Sequence, residues 1–493
     1  MNIYHNYKGM ERGGCSTVII GKAVSSTGHV IMGHNEDDEE CVAQCHLVPR
    51  LTHAPGEMVT FEDGTAVIPQ VEETLAFYWT DVKCEGGISF ADCFVNECGV
   101  AVVTDSCRPS RDAAGAKKDN RKDYALGYAL RRLIAERAHT AREGMELAAK
   151  LVEKYGYCSS RTYHIADKDE AWCLAIPKGF RCVARRVKDD EIYYIPNHYI
   201  IHEIDFSDPE NWYWSEDLIT FAIDQGWYHP AKEGDYSDFD FAAVYQEEDG
   251  LPRNLGRPVD AWKKLAGLEL KPGETRITAL KTDRKYTPEE VKAILRSHGE
   301  GTDYDMTKDG TITPHRGQDA YSICNNVTVE STVFVFADDL NLLKMYRASP
   351  KPCCAPYTPW YPLALKEIPA GYEWTPAKEA LYSHFRFDPK EMQYNRRYAW
   401  WTFRNVQLLL DYNYPVTHRE ISASIAMLEA KWQSEEKAVE AAYAALRETD
   451  PEAAKDYLSD YTIQQAYKAR QWADAMMNHF ADDLWREKLY DNL

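Results

Sequence analysis

The chain has 493 residues, 44% of them hydrophobic and 12% aromatic, with a formal net charge of −21. That composition excludes a disordered or fibrous chain and allows about three domain-sized units at roughly 150 residues each. Its acidity excludes nucleic acid and an anionic membrane surface as main partners, because phosphate binding needs a basic face.

The first elements read as strands. Ser16–Ile20 is β-branched, and a turn over 25–28 containing Gly28 leads to a second short strand at 30–32, a hairpin pattern. Further strands are predicted at 90–95, 99–104, 163–166, Ala171–Ile176, 192–195 and 327–336. A helix is predicted from about Tyr124, where Leu126, Leu130, Leu133 and Ile134 share one face. Thr140 and Glu143 form a capping box that opens a second helix, and Gly156 stops it. Residues 206–300 have weak periodicity and read as short helices with long connections. The segment 348–362 carries five prolines, which rules out a regular element and suggests a rigid covering loop. From Glu391 onward, Ala, Glu, Lys and Leu recur at helical spacing, predicting three or four helices. No run reaches the ~18–20 apolar residues of a membrane helix.

Most chemical motifs are missing: there is no GxGxxG, GxxxxGK, HExxH or GxSxG. Asp305 to Ile312 matches part of a calcium loop, but its twelfth position is Arg316 rather than a bidentate Glu, so a turn is expected. Cys41, Cys45 and His46 lack a second ligand pair at finger-like spacing and read as core residues. No metal and no organic cofactor is therefore expected. Thirteen cysteines are far too few for a disulfide scaffold, and the odd number leaves at least one thiol unpaired. A reducing cytoplasm is the simpler reading. Residues 1–14 have no apolar core of a secretory signal, so the sequon at Asn326 is read as a chance match.

The informative stretch is Gly13-Gly14-Cys15-Ser16-Thr17. A polar leader ends in two glycines directly before a cysteine that opens a strand. Were the Gly14–Cys15 bond cut, the Cys15 thiol would stand beside its own α-amine, whose reference pKa of about 7.7–8.0 suits a base near neutrality. The competing reading is one more buried cysteine.

Cys15 to Lys22, followed by Gly33-His34-Asn35-Glu36-Asp37, resembles the opening of the N-terminal-nucleophile (Ntn) cysteine dipeptidases, relatives of bile-salt hydrolases, penicillin V acylases and secernins. Further matching blocks are Asn96 to Ala101, Glu153 to Tyr157, Ile195-Pro196-Asn197, Thr328 to Val333 and Pro352 to Tyr361. The resemblance implies an α+β fold, the four-layer αββα Ntn-hydrolase sandwich with a helical C-terminal region. It also implies a self-cleaved propeptide over 1–14, a catalytic domain over 15–385 and the helical region over 386–493. Met10 is an alternative start, which would leave a shorter leader.

By the same resemblance Cys15 is the nucleophile, cleavage falls between Gly14 and Cys15, and Asp37 orients the thiol and amine. Asn197 is an oxyanion-hole donor, and the 104–106 stretch ending at Ser106 supplies a second donor through its backbone. Arg316 is the counterpart of an arginine near the nucleophile. Relatives carry Arg where this chain has His34, a residue expected to be near-neutral at pH 7 and to influence substrate binding. The expected activity is hydrolysis of a small peptide through an acyl-enzyme on Cys15. The alternatives are an N-acyl amide hydrolase and a non-enzymatic secernin-like protein. A homo-oligomer is left open, and no nucleic acid or membrane partner is expected.

Overall fold

A computed structural model describes residues 14–38, 41–60, 65–84, 90–107, 111, 126–246, 256–271, 274, 276–315 and 322–490, the last eight by backbone alone. Residues 1–13, within the expected leader, and Arg316 lie outside these. In chain order the strands begin β1 (Ser16–Ile20), β2 (Ile31–Asp37) and β3 (Cys41–Val48). Four short strands follow, β4 (Leu51–Thr52), β5 (Met58–Thr60), β6 (Val67–Pro69) and β7 (Glu73–Thr74). Next come β8 (Phe77–Cys84), β9 (Ala91–Asn96), β10 (Ala101–Ser106), helices α1 (Leu130–Arg137) and α2 (Ala141–Tyr155), then β11 (Arg161–Ala166), β12 (Ala171–Ile176), β13 (Val183–Val187) and β14 (Glu191–Ile195). The middle holds β15 (Trp212–Trp214), α3 (Leu218–Asp224), α4 (Phe241–Tyr245), α5 (Gly256–Ala266), β16 (Leu280–Lys281) and α6 (Pro288–Leu295). The chain closes with β17 (Thr328–Val335), β18 (Lys344–Ala348), β19 (Thr358–Trp360), α7 (Ala377–Ser383), α8 (Ala399–Tyr412), α9 (Tyr414–Arg447) and α10 (Pro451–Tyr490).

Two antiparallel sheets stack face to face, one in the order β16-β14-β1-β2-β17-β18-β19 and the other β15-β13-β12-β11-β10-β9-β8-β3. One apolar core joins Val18, Val333 and Tyr194 of the first sheet to Cys93, Val95 and Val103 of the second. A second core packs α1 and α2 on the outer face of the eight-stranded sheet through Leu133, Ile134, Ala148 and Val152. Helices α5, α6 and α8 to α10 cover the other sheet, with Val291, Leu295, Val406, Trp432 and Ala466 sharing its core. The result is the four-layer αββα sandwich, in which the C-terminal helices complete an outer layer.

Local rules explain much of this. Thr140 accepts from the Glu143 amide at the start of α2, and Gly156 ends it at a φ of 73°. The first helix forms only from Leu130, later than predicted, and residues 121–125 lie outside the described set. Two predictions need correction. The proline-rich segment does contain a regular element, β19, paired with β18. Cys41 is not a free core cysteine: it forms a disulfide with Cys84, its cross-strand partner between β3 and β8. Asp305 and Asp309 cap tight turns through Thr307 and Thr311, as expected of a turn rather than a calcium loop. Among the described residues no helix is long and apolar enough to cross a membrane.

Candidate active site

Cys15 sits at the amino end of β1, a strand flanked by β14 and β2 in the middle of its sheet. Gly14 and Cys15 are both buried. The guanidinium of Arg257, on the first turn of α5 and wholly buried, meets this junction from the helical layer. Its Nη1 donates to the Gly14 carbonyl at 2.6 Å and to the Cys15 carbonyl at 2.7 Å. Its Nη2 donates to Asn197 Oδ1 at 2.8 Å, and Asn197 Nδ2 donates in turn to the Ser106 carbonyl at 2.8 Å. A guanidinium only donates and a carbonyl only accepts, so these contacts fix the orientation of the Asn197 amide. A side chain at position 14 would run into Asn197 Oδ1 and the Arg257 guanidinium, which explains the glycine there.

Carboxylates crowd the thiol. Cys15 Sγ lies 4.0 Å from Glu36 Oε2 and 3.9 Å from the Asp37 carbonyl. Burial, together with the fields of Glu36, Asp105 and Asp37, pushes the thiol well above its usual range, so it is protonated in this state. Asp37 accepts from Asn325 Nδ2 at 2.5 Å. A register shift between Thr328 and Glu330, opposite the end of β2, brings Thr328 into hydrogen-bond contact with the same carboxyl. Burial outweighs these bonds and raises Asp37 to about 7.

His34 lies in a hydrogen-bonded chain. Thr17 Oγ1 donates its only proton to Asp105 Oδ2 at 2.5 Å, so the 2.9 Å contact between Thr17 and His34 Nδ1 requires the ring to donate. The other ring nitrogen, Nε2, faces Glu36 Oε2 at 3.3 Å, and a carboxylate again needs a donor. Both nitrogens therefore carry protons. Burial alone would push the ring down, but the Glu36 bond and the nearby Asp105 and Asp92 leave it raised. Against the expectation of a near-neutral His34, these contacts bias the buried ring towards its charged form. His164 Nε2 donates to Asp105 at 2.7 Å and continues the chain.

The residues Gly14, Cys15, His34, Asp37, Ser106 and Asn197 thus converge. Ser106 meets the site through its carbonyl oxygen. An arginine that hydrogen-bonds Cys15 is Arg257. Sequence reasoning missed it because it stands 242 positions from Cys15 in an unremarkable helix. It also missed Asp105, Asn325 and Arg161, whose charge interacts with both Glu36 and Cys15; Glu36 stands inside the block from Gly33 to Asp37, where no role attached to it.

Cys15, His34 and Glu36 bring potential ligand atoms within 4.8 Å of one another. The contacts of His34 with Thr17 and Glu36 make this group part of the hydrogen-bonded chain. A cavity of about 540 Å³ adjoins Asp37 through Asp38 and Thr328; Lys351, Trp400, Trp401 and Arg404 also line it.

The model of peptidase family C69 matches residues 14–426. A protein of Streptococcus pyogenes serotype M6 described as "probable dipeptidase B" is 24% identical over 476 residues, spanning 92% of this chain and 90% of its own length. A "probable dipeptidase" of Latilactobacillus sakei is 25% identical over 309 residues, covering 61% and 64% respectively. Among solved structures, the penicillin V acylase of Agrobacterium tumefaciens aligns over 68% of this chain and 82% of its own, with 13% identity and a TM-score of 0.33.

Proposed function

Since the chain belongs to peptidase family C69, we propose that it is a dipeptidase whose nucleophile is Cys15, exposed when the chain removes its own leader, residues 1–14. The observation that carries this reading is the Gly14 carbonyl, held 2.6 Å from a buried guanidinium in a site crowded with carboxylates. In the first step the Cys15 sulfur adds to the Gly14 carbonyl carbon, and the thiol proton passes to the adjacent Glu36 carboxylate. Arg257 stabilises the oxyanion. The C–N bond breaks as the Cys15 nitrogen takes a proton, leaving a thioester that water hydrolyses to release the leader as a carboxylate.

The freed α-amine then replaces Glu36 as the base. A substrate carbonyl takes the position the Gly14 carbonyl vacates, the thiolate attacks it, and the ammonium protonates the leaving amine. Water, activated by the same amine, releases the acyl group. Asp37 and Glu36 favour the ammonium and hold it in place. Asn197 positions Arg257 from behind, and the His34 cation offsets part of the acidic field. The adjoining cavity has the size of a small-ligand site, with Trp400 and Trp401 as apolar walls and Arg404 as a cation for a substrate carboxylate. On this reading residues 15–385 form the hydrolase unit and 386–493 its helical cover.

Intact-mass analysis of Cys15→Ala should show the full chain with its leader and no peptidase activity, whereas the wild type loses residues 1–14. Turnover by the alanine variant, or by a wild-type chain whose mass still includes the leader, would reject the mechanism. Assaying dipeptides beside N-acylated amino acids tests the substrate class; preference for the latter would reject the dipeptidase reading and leave the Cys15 chemistry intact.

A further inference from the structure

Away from Cys15, four side chains from two connections, three of them buried and Cys353 half-buried, point their ligand atoms at one place. His298 follows α6, His315 and Cys324 belong to the connection from α6 to β17, and Cys353 lies in the proline-rich segment after β18. All four atoms lie within 4.8 Å of one another. His315 Nε2 is 3.2 Å from His298 Nε2, 3.3 Å from Cys353 Sγ and 3.9 Å from Cys324 Sγ.

Carboxylates hold the far side of each ring. His315 Nδ1 faces Asp411 Oδ1 at 2.6 Å, and His298 Nδ1 faces Glu300 Oε1 at 3.4 Å. A carboxylate only accepts, so both Nδ1 atoms carry a proton, which leaves the two Nε2 atoms as the positions open to a ligand bond. Around His315 Nε2 stand three potential ligand atoms within 3.9 Å. A tetrahedral ion with Zn–N of about 2.0–2.1 Å and Zn–S of about 2.3 Å has N–N edges of about 3.3 Å and N–S edges of about 3.6 Å. The observed separations are those edges to within a few tenths of an ångström.

We propose that His298, His315, Cys324 and Cys353 form a structural zinc site, with Asp411 and Glu300 orienting the two imidazoles. Two imidazoles and two sulfurs at tetrahedral spacing suit zinc better than calcium or magnesium, which take oxygen ligands. With both imidazoles neutral and both sulfurs as thiolates, the Zn²⁺ ion leaves a cluster of no net charge in the interior. Its position gives it a task. Cys324 immediately precedes Asn325, which donates to Asp37, and Asp411 belongs to α8, so the ion ties the Asp37 support to the C-terminal helices.

Elemental analysis of the full chain, expressed with added zinc and then dialysed, should find about one zinc per chain. Cys15→Ala should keep it, whereas Cys324→Ser and Cys353→Ser should lose it. Because those variants could fail to fold, the wild type is also stripped with a chelator and titrated with cobalt(II). Thiolate-to-cobalt charge-transfer absorption and the d–d bands of tetrahedral cobalt are expected. Asp411→Asn should weaken zinc affinity about 10–100-fold and still fill at saturation. A wild-type chain without stoichiometric zinc and without thiolate–cobalt absorption overturns the site, as does a Cys324–Cys353 disulfide found by peptide mapping.

Discussion

Arg257 reaches three acceptors with one planar fork, the carbonyls of Gly14 and Cys15 and the side-chain oxygen of Asn197. A lysine could supply the charge but not that geometry. Arg257→Ala should slow leader removal about 10²–10³-fold, the usual cost of losing an oxyanion donor, and Arg257→Lys should recover only part of it. A mass-spectrometric time course on freshly made protein measures both. Asp37 offers a separate test through stability. Its carboxyl is raised from 3.8 to about 7 by burial, so between those values the folded chain holds a proton that the unfolded chain has released. Its stabilising contribution is complete below about pH 4 and is lost as pH rises through about 7, a change on the order of 4 kcal/mol. In the Cys15→Ala chain, where no α-ammonium forms, denaturation midpoints should fall between about pH 5 and about pH 8. Adding Asp37→Asn should flatten that fall. Some slope will persist, because burial raises Glu330 to about 7 as well.

At the scale of elements, β2 distributes the site by simple alternation. His34 and Glu36 point toward the hydrogen-bond chain with Thr17 and Asp105, while Asn35 and Asp37 point the other way, to the carbonyls of Leu295 and Ile323 and to Asn325. Gly33 shares the second face, where α6 packs so closely that an added Cβ would stand 2.5 Å from Val291 Cγ1. Gly33→Val should therefore push α6 off the sheet and lower stability by about 1–3 kcal/mol, as overpacking commonly does. Thermal melting against wild type measures it, and an unchanged Tm would contradict the packing argument. The strands β3 and β8 escaped sequence reading for a related reason. Their polar residues Gln44, His46, Thr80, Asp81 and Lys83 are buried, and they interrupt the apolar pattern that marks a core strand. Asp81 accepts from Gln44, His46 and His384, which satisfies the buried charge and holds its pKa below the usual carboxylate range despite desolvation.

Across the whole molecule, two stacked sheets leave little solvent between them, so polar groups in that space must satisfy one another. The chain from Glu36 through His34, Thr17 and Asp105 to His164 does so by crossing from one sheet to the other. The Cys41–Cys84 disulfide closes a loop of 43 residues' separation at the edge of the eight-stranded sheet. Thiol titration of the denatured, unreduced chain should find eleven free thiols, against thirteen after reduction. Thirteen in both states would remove the disulfide. On the opposite face α8 to α10 are tied to the sheet layer, Glu429 of α9 accepting from Arg296 and from the Tyr357 amide. Their apolar faces share the central core, so the helical region does not stand apart from the sandwich.

What the sequence determined by itself is local. The β-branched run after Cys15, the cap at Thr140, the stop at Gly156 and the helical spacing beyond Glu391 each depend on neighbours within a few residues, and each forms, although the Glu143 side chain accepts from the His139 amide instead of closing a capping box on Thr140. The ordered blocks beginning at Cys15 were enough to indicate a family and a fold. The tertiary structure alone decided which distant groups meet. It placed Arg257 on the Gly14 carbonyl, set His34 between Thr17 and Glu36, joined Cys41 to Cys84 and gathered His298, His315, Cys324 and Cys353 at one point. Those outcomes depend on burial and on contacts between segments tens to hundreds of residues apart. Desolvation and multi-partner hydrogen bonding act on the packed arrangement and leave no periodic mark along the chain.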